Sequence, residues 1–223
     1  MITAFEFQNW KSYSDSKLHV DPLTVLIGTN ASGKSNALDA LLFLNRIAHG
    51  AQLTAALQGD AALGAVRGGV EWAARQPGDT FSLLVTVRSD DLTDYKYRIE
   101  ARVRASRCEL IAEQLVRVKY RPAKRGEQGV RGAQSGSLRL FWTDECEVDA
   151  PNVTARLYNE KRGSPRSMSR ANAILSQLVG QKHRQEIQDG VSAVIGALQG
   201  IFILDPIPAH MRGYSPLSDQ LEP

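Results

Sequence analysis

Residues Gly28 to Ser35 read Gly-Thr-Asn-Ala-Ser-Gly-Lys-Ser, and this octet constrains the chain more than any other stretch. Its form, G-x-x-x-x-G-K-[ST], suits a loop that wraps phosphate groups. Gly28 and Gly33 permit a tight turn that brings backbone N–H groups close to an anion. Upstream, Leu23-Thr24-Val25-Leu26-Ile27 is a short apolar run expected to form a buried strand. Downstream, Ala37, Leu38, Leu41, Leu42 and Ala48 recur at helical spacing, so a helix is expected to open near Gly33. Such a helix aims the positive end of its dipole and its unpaired N–H groups at the loop. Lys34 can then reach the β- and γ-phosphates, and the Ser35 hydroxyl can ligate Mg²⁺. Strand, glycine loop and helix stand in the order that a nucleoside triphosphate site needs. A bare glycine turn between strand and helix is the competing reading.

Composition bounds the rest. The 223 residues suit one domain with two lobes, or two small domains, and 43% hydrophobic content is enough for a sizeable core. No apolar run approaches the ~18 residues of a membrane span, and the N-terminus lacks the basic and apolar regions of a signal peptide. Two cysteines, Cys108 and Cys146, offer neither a disulfide framework nor metal-ligand spacing, so packing roles and a reduced, cytoplasmic setting are expected.

Along the chain, Phe5 and Phe7 alternate with Glu6 and Gln8 as an opening strand, and Asn9 to Asp15 reads as a polar turn. Leu18-His19-Val20 reads as a second strand, with His19 as an ordinary exposed strand residue. Gly50 to Val70 suggests short helices broken at Gly59 and Gly64. From Phe81 the period becomes two: 81–87, 95–104, 111–118 and 138–142 are strand candidates, too close together for crossover helices, so an antiparallel lobe is expected. Gly126 to Gly136 reads as a polar loop, 151–170 as irregular, and 171–198 as mainly helical. From Lys96 to Arg139 there are twelve Lys and Arg against four acids, a net +8. A DNA-binding surface over 96–139 is one reading, since phosphate contacts dominate such affinity. A solvated strand face with a basic loop is the other.

The segment Ile2 to Leu44 resembles the N-terminal lobe of ABC-type ATPases of the SMC, RecF and OLD kind. The residues that carry the likeness are Asn9-Trp10-Lys11-Ser12, Gly28 to Asn36, and the helix start Ala37-Leu38-Asp39-Ala40-Leu41. The rest of the chain is similar, more loosely, to predicted ATPases grouped with OLD proteins, with Asp205 to Arg212 as a Pro/Met-Arg segment. The resemblance implies an α/β (α+β) fold: a P-loop NTPase lobe with an antiparallel β lobe and a helical C-terminal segment. In this division 1–80 is the nucleotide-binding core with 171–205 packing back on it. Residues 81–150 form the β lobe, and 151–223 supply linker, helices and a Pro-rich tail. ATP and Mg²⁺ are the implied cofactors. Lys11 and Ser12 would reach the nucleotide from the turn, and Gly28, Asn30, Ala31, Ser32, Gly33, Lys34, Ser35 and Asn36 would form the phosphate loop. Lys34 would act in catalysis and Ser35 would bind metal. Gln114 is the candidate for the glutamine that senses Mg²⁺ and the γ-phosphate.

The chain also departs from that pattern. Leu175 to Gln181 has the Leu-Ser start of a signature segment but no paired glycine. Ile201 to Asp205 has the apolar run and acid of a Mg²⁺-holding strand, yet Pro206 replaces the glutamate that would activate water. Leu140 to Glu145 ends in Asp-Glu, but Thr143 interrupts its run. The general base is therefore not identified, and two functions stay open. One is an ATPase lobe that dimerises on ATP, or joins a complementary half, in DNA repair, chromosome handling or phage defence. The other is a non-hydrolysing nucleotide sensor that docks an effector protein. A small-molecule kinase is a third reading, disfavoured by the antiparallel insertion.

Overall fold

The computed structural model describes residues 1–61, 64–124 and 129–204. Its frame is one eight-stranded sheet in the order β2-β1-β3-β4-β5-β6-β7-β8, antiparallel at every pairing. The strands are β1 (Ile2–Trp10), β2 (Tyr13–His19), β3 (Thr80–Asp90), β4 (Thr93–Arg104), β5 (Arg107–Pro122), β6 (Arg131–Thr143), β7 (Asn152–Leu157) and β8 (Ser164–Ser169). The helices are α1 (Lys34–Ala48), α2 (Leu53–Gln58), α3 (Ile174–Gln177) and α4 (Gln185–Gln199).

Period-two alternation explains the layering. Phe5, Phe7, Phe81, Leu83, Val85, Tyr97 and Ile99 share one face and are buried there against Phe43, Leu44 and Ile47 of α1 and Val191, Val194 and Leu198 of α4. Phe81 meets Trp10 and Phe43 edge-on, with ring centroids 4.9 and 5.8 Å away. The two helices are also tied end to end: Asn45 Nδ2 donates to the Leu198 carbonyl at 3.0 Å, and Gln199 Nε2 to that of Ala48 at 2.9 Å. The opposite face, carrying Glu6, Leu84, Arg98, Gln114, Trp142 and Arg156 in one row across the strands, has no helix on it among the described residues.

The antiparallel pairing expected for 81–150 is present, and the same sheet continues through β1 and β2. The turn between those two strands is narrower than Asn9 to Asp15, since only Lys11 and Ser12 stand outside them. Three expectations are corrected. Leu23 to Ile27 forms no strand and pairs with no described strand, and Leu23, Val25 and Ile27 are 86%, 72% and 91% exposed. An apolar run favours burial but supplies neither the cover nor the neighbouring strand that a buried ladder needs. Residues 152–169, read as irregular, form the β7–β8 hairpin, whose inward Val153, Ala155, Leu157 and Met168 were masked by the Ser and Arg around them. Arg131 to Gly136, read as loop, is the start of β6. The helical stretch is two helices, with Leu175 to Gln181 running from α3 into a turn. Ile201 to Leu204 is not part of a strand. Asp205 to Arg212 and the Pro-rich tail lie outside the described residues. No helix among the described residues is long and apolar enough to cross a membrane.

Candidate nucleotide site

The glycine loop Gly28 to Gly33 runs into α1 as its spacing requires. Gly33 precedes the first helical residue at φ 93°, a left-handed conformation that costs glycine little, and no side chain caps the helix. The N–H groups of the first turn of a 15-residue helix therefore face the loop, along with its dipole. Asn30, Ala31, Ser32 and Ser35 are exposed at the crest, Ala31 itself left-handed at φ 64°. Lys34 Nζ folds back over the loop, donating to the carbonyls of Gly28 and Thr29, each at 2.7 Å, and to Ser32 Oγ at 3.2 Å.

Below the loop lies Tyr13, whose hydroxyl donates to the Gly33 carbonyl at 3.0 Å. A Cβ on Gly33 would stand 2.9 Å from that hydroxyl, so glycine is needed there for clearance as well as for its φ. Stacking on Phe7 at 5.1 Å fixes the ring, and burial raises the phenol pKa, keeping it a neutral donor. Sequence reasoning passed over Tyr13 as part of a polar turn. The available signal was its place immediately after the Asn-Trp-Lys-Ser motif.

That motif clamps the start of α1. Trp10 Nε1 donates to the Asn36 carbonyl at 2.7 Å, and Asn36 Nδ2 donates to Ser12 Oγ at 2.7 Å. Ser12 and Asn36 thus meet beside the loop. Lys11 goes elsewhere: its ammonium pairs with Asp39 one turn along α1 and donates to the Arg67 carbonyl at 2.6 Å. Lys11 and Asp39 are 7% and 8% exposed, and burial lowers the Lys11 pKa while Asp39 opposes the shift. Asp39 stands in the helix start that carries the likeness, but its pairing with Lys11 could not be read from the sequence.

Gln114 is not brought to the loop. Its neighbour Leu115 faces α4, approaching Gly190, so Gln114 points to the open side of the sheet between Arg98 and Trp142. Glu113 instead reaches the helical side. There it accepts from the backbone N–H of Ile174 at 2.6 Å and Leu175 at 2.8 Å, and from the Tyr97 hydroxyl at 3.0 Å. Asp144 of the Asp-Glu pair is held by Arg156 Nε at 2.7 Å.

No group of three His, Cys, Asp or Glu residues among those described could hold a metal ion. The donor that fits Mg²⁺ is the exposed Ser35 hydroxyl beside the loop. A hard ion that keeps several waters and takes its other ligands from phosphates suits one protein oxygen.

No curated protein sequence matches the chain. Residues 1–100, which carry β1, β2, the glycine loop and α1, match the family model of the AAA ATPase domain, supporting an AAA-type ATPase lobe over that stretch.

Proposed function

We propose that the chain is the nucleotide-gripping lobe of an ABC-type ATPase of the SMC, RecF and OLD-like kind, taking ATP with Mg²⁺ at Gly28 to Ser35. The observation that carries this reading is the uncapped N-terminus of α1 behind left-handed Gly33, with Lys34 and Ser35 as its first residues. That arrangement offers an anion several N–H donors, a helix dipole and an ammonium at one point. When triphosphate enters, the ammonium exchanges the Gly28 and Thr29 carbonyls for phosphate oxygens. Tyr13, Trp10 and Asn36 keep the loop and α1 in register meanwhile. Mg²⁺, held in part by Ser35, would neutralise phosphate charge.

ATP would be closed between two subunits, or between this lobe and a complementary half that brings the general base. Exposed Leu23, Val25 and Ile27, next to the loop, support an assembly that covers them. The resemblance supports a role for such a lobe in DNA repair, chromosome handling or phage defence.

Titration with a fluorescent ATP analogue tests the site. Lys34→Ala is expected to weaken binding by about tenfold or more, the worth of a hydrogen bond to a charged group, without lowering the melting temperature. Unchanged affinity would remove Lys34 from the site. Phosphate release by the isolated chain, lost in Lys34→Ala, would make the lobe an enzyme by itself. Binding without turnover would favour the nucleotide sensor or a lobe that needs its other half.

A further inference from the structure

We infer that the open face of the sheet binds single-stranded nucleic acid, with an unpaired base stacking at Trp142. The site is separate from the nucleotide loop, because α1 and α4 pack on the other face. At its centre is a cavity of about 230 Å³ whose lining includes Arg98, Glu100, Glu113, Gln114, Arg139 and Trp142. It joins the two features that single-strand binding requires, an aromatic ring for a base and cations for the backbone.

The ring is held in place from two sides. Arg139 lies over it with Cζ 4.8 Å from the centroid, and the buried backbone of Gly163 presses on its edge, so close that a Cβ there would stand 2.8 Å from it. A preset ring loses little freedom when a base stacks on it. Gln114, beside Trp142 in the same cross-strand row, offers an amide to a base edge.

The charge around the ring is incompletely neutralised. Arg98 donates to Ser82 Oγ at 2.9 Å and Gln8 Oε1 at 3.0 Å, both neutral, and its nearest carboxylate, Glu100, is 3.9 Å away. Lys96 and Arg139 share the next row and form no ion pair among the described residues. The turn ending at Gly163 adds exposed Lys161 and Arg162. Arg156 contributes little, because Asp144 neutralises it. A duplex offers Trp142 no free base face, since its bases are already stacked on each other. The cavity therefore selects for a single strand.

Not all of the basic segment takes part. Arg117 pairs with Tyr95 on the helical side, and Lys119 lies two residues further along β5. This division makes the inference testable by fluorescence anisotropy of a labelled single-stranded oligothymidylate and a duplex of equal length at low salt. The single strand is expected to bind more tightly. Trp142→Ala should weaken it by about tenfold, and Trp142→Phe should restore most of the loss. Replacing Arg98 and Arg139 together by Gln should lower the salt slope by about 1.4, or about 0.7 per lost phosphate contact. Arg117→Gln with Lys119→Gln should change affinity by less than about twofold. Absence of binding at low salt, tighter binding of the duplex, or equal losses from the two basic pairs would each overturn the proposal. If Trp142→Ala fails to fold, the two arginine-centred pairs still decide it.

Discussion

Glu113 caps α3 from a strand distant in sequence. Helix α3 has no side-chain cap of its own, and this carboxyl, 2% exposed, collects two backbone N–H groups and a phenol. Burial nevertheless raises its pKa from 4.5 to about 7, outweighing the three donors. Between those values the folded chain holds a proton that the unfolded chain releases. The associated stability is fully present below about pH 4.5 and is lost as pH rises through about 7. Glu113→Gln keeps an acceptor for α3 and cannot ionise. It should flatten the fall in thermal stability from about pH 5 to 8, which for the parent is on the order of 2–3 kcal/mol. Parallel pH profiles for parent and variant would assign the dependence to other groups. Nothing in the sequence around Glu113 announces this role, because the backbone groups it caps lie 61 and 62 residues away. The glycine loop was legible for the opposite reason: left-handed Gly33 and the helix that opens at Lys34 are local backbone geometry that the motif itself encodes.

At the level of elements, legibility followed the strength of the period. Strand β4 was visible because Tyr95, Tyr97, Ile99 and Ala101 alternate with charged residues, and α1 because its apolar face repeats over a continuous run. The β7–β8 hairpin was not, since few of its inward residues are large and apolar. Helix α4 adds a case of packing that periodicity cannot show. Gly190 sits mid-helix, where glycine costs about 1 kcal/mol relative to alanine. A Cβ there would overlap a methyl of Leu140 and stand 3.2 Å from Leu115 and Tyr95. The glycine lets the helix lie directly on β4, β5 and β6. Gly190→Val should destabilise the chain by about 1–3 kcal/mol through overpacking, seen as a lower melting temperature with nucleotide affinity retained. An unchanged melting temperature would mean that α4 can lift off the sheet at little cost.

Across the whole molecule, the apolar segment before the loop lacks the cover that its composition leads one to expect. Leu23, Val25 and Ile27 face solvent, while Leu26 between them turns inward to a cavity of about 270 Å³ shared with Phe7, Leu18 and Lys34. If this segment joins an ATP-dependent assembly, Leu23→Lys with Val25→Lys should abolish nucleotide-induced dimerisation in size-exclusion chromatography. Stability of the isolated chain should change by no more than about 0.5 kcal/mol, because these side chains support no core. Dimerisation unaffected by the two lysines would place the contact elsewhere.

The strand order also bears on how the chain folds. From β3 to β8 each strand lies beside its sequence neighbour, as do β1 and β2, so both pieces can form through contacts of short range. Among the described strands they join only where β1 meets β3, after the excursion from Val20 to Asp79 that carries the phosphate loop and α1. Closing that excursion is the slow step that the topology imposes. Until it closes, β3 presents an unpaired edge bearing Leu83, Val85 and Val87, the place where an unfinished chain would recruit another copy and aggregate.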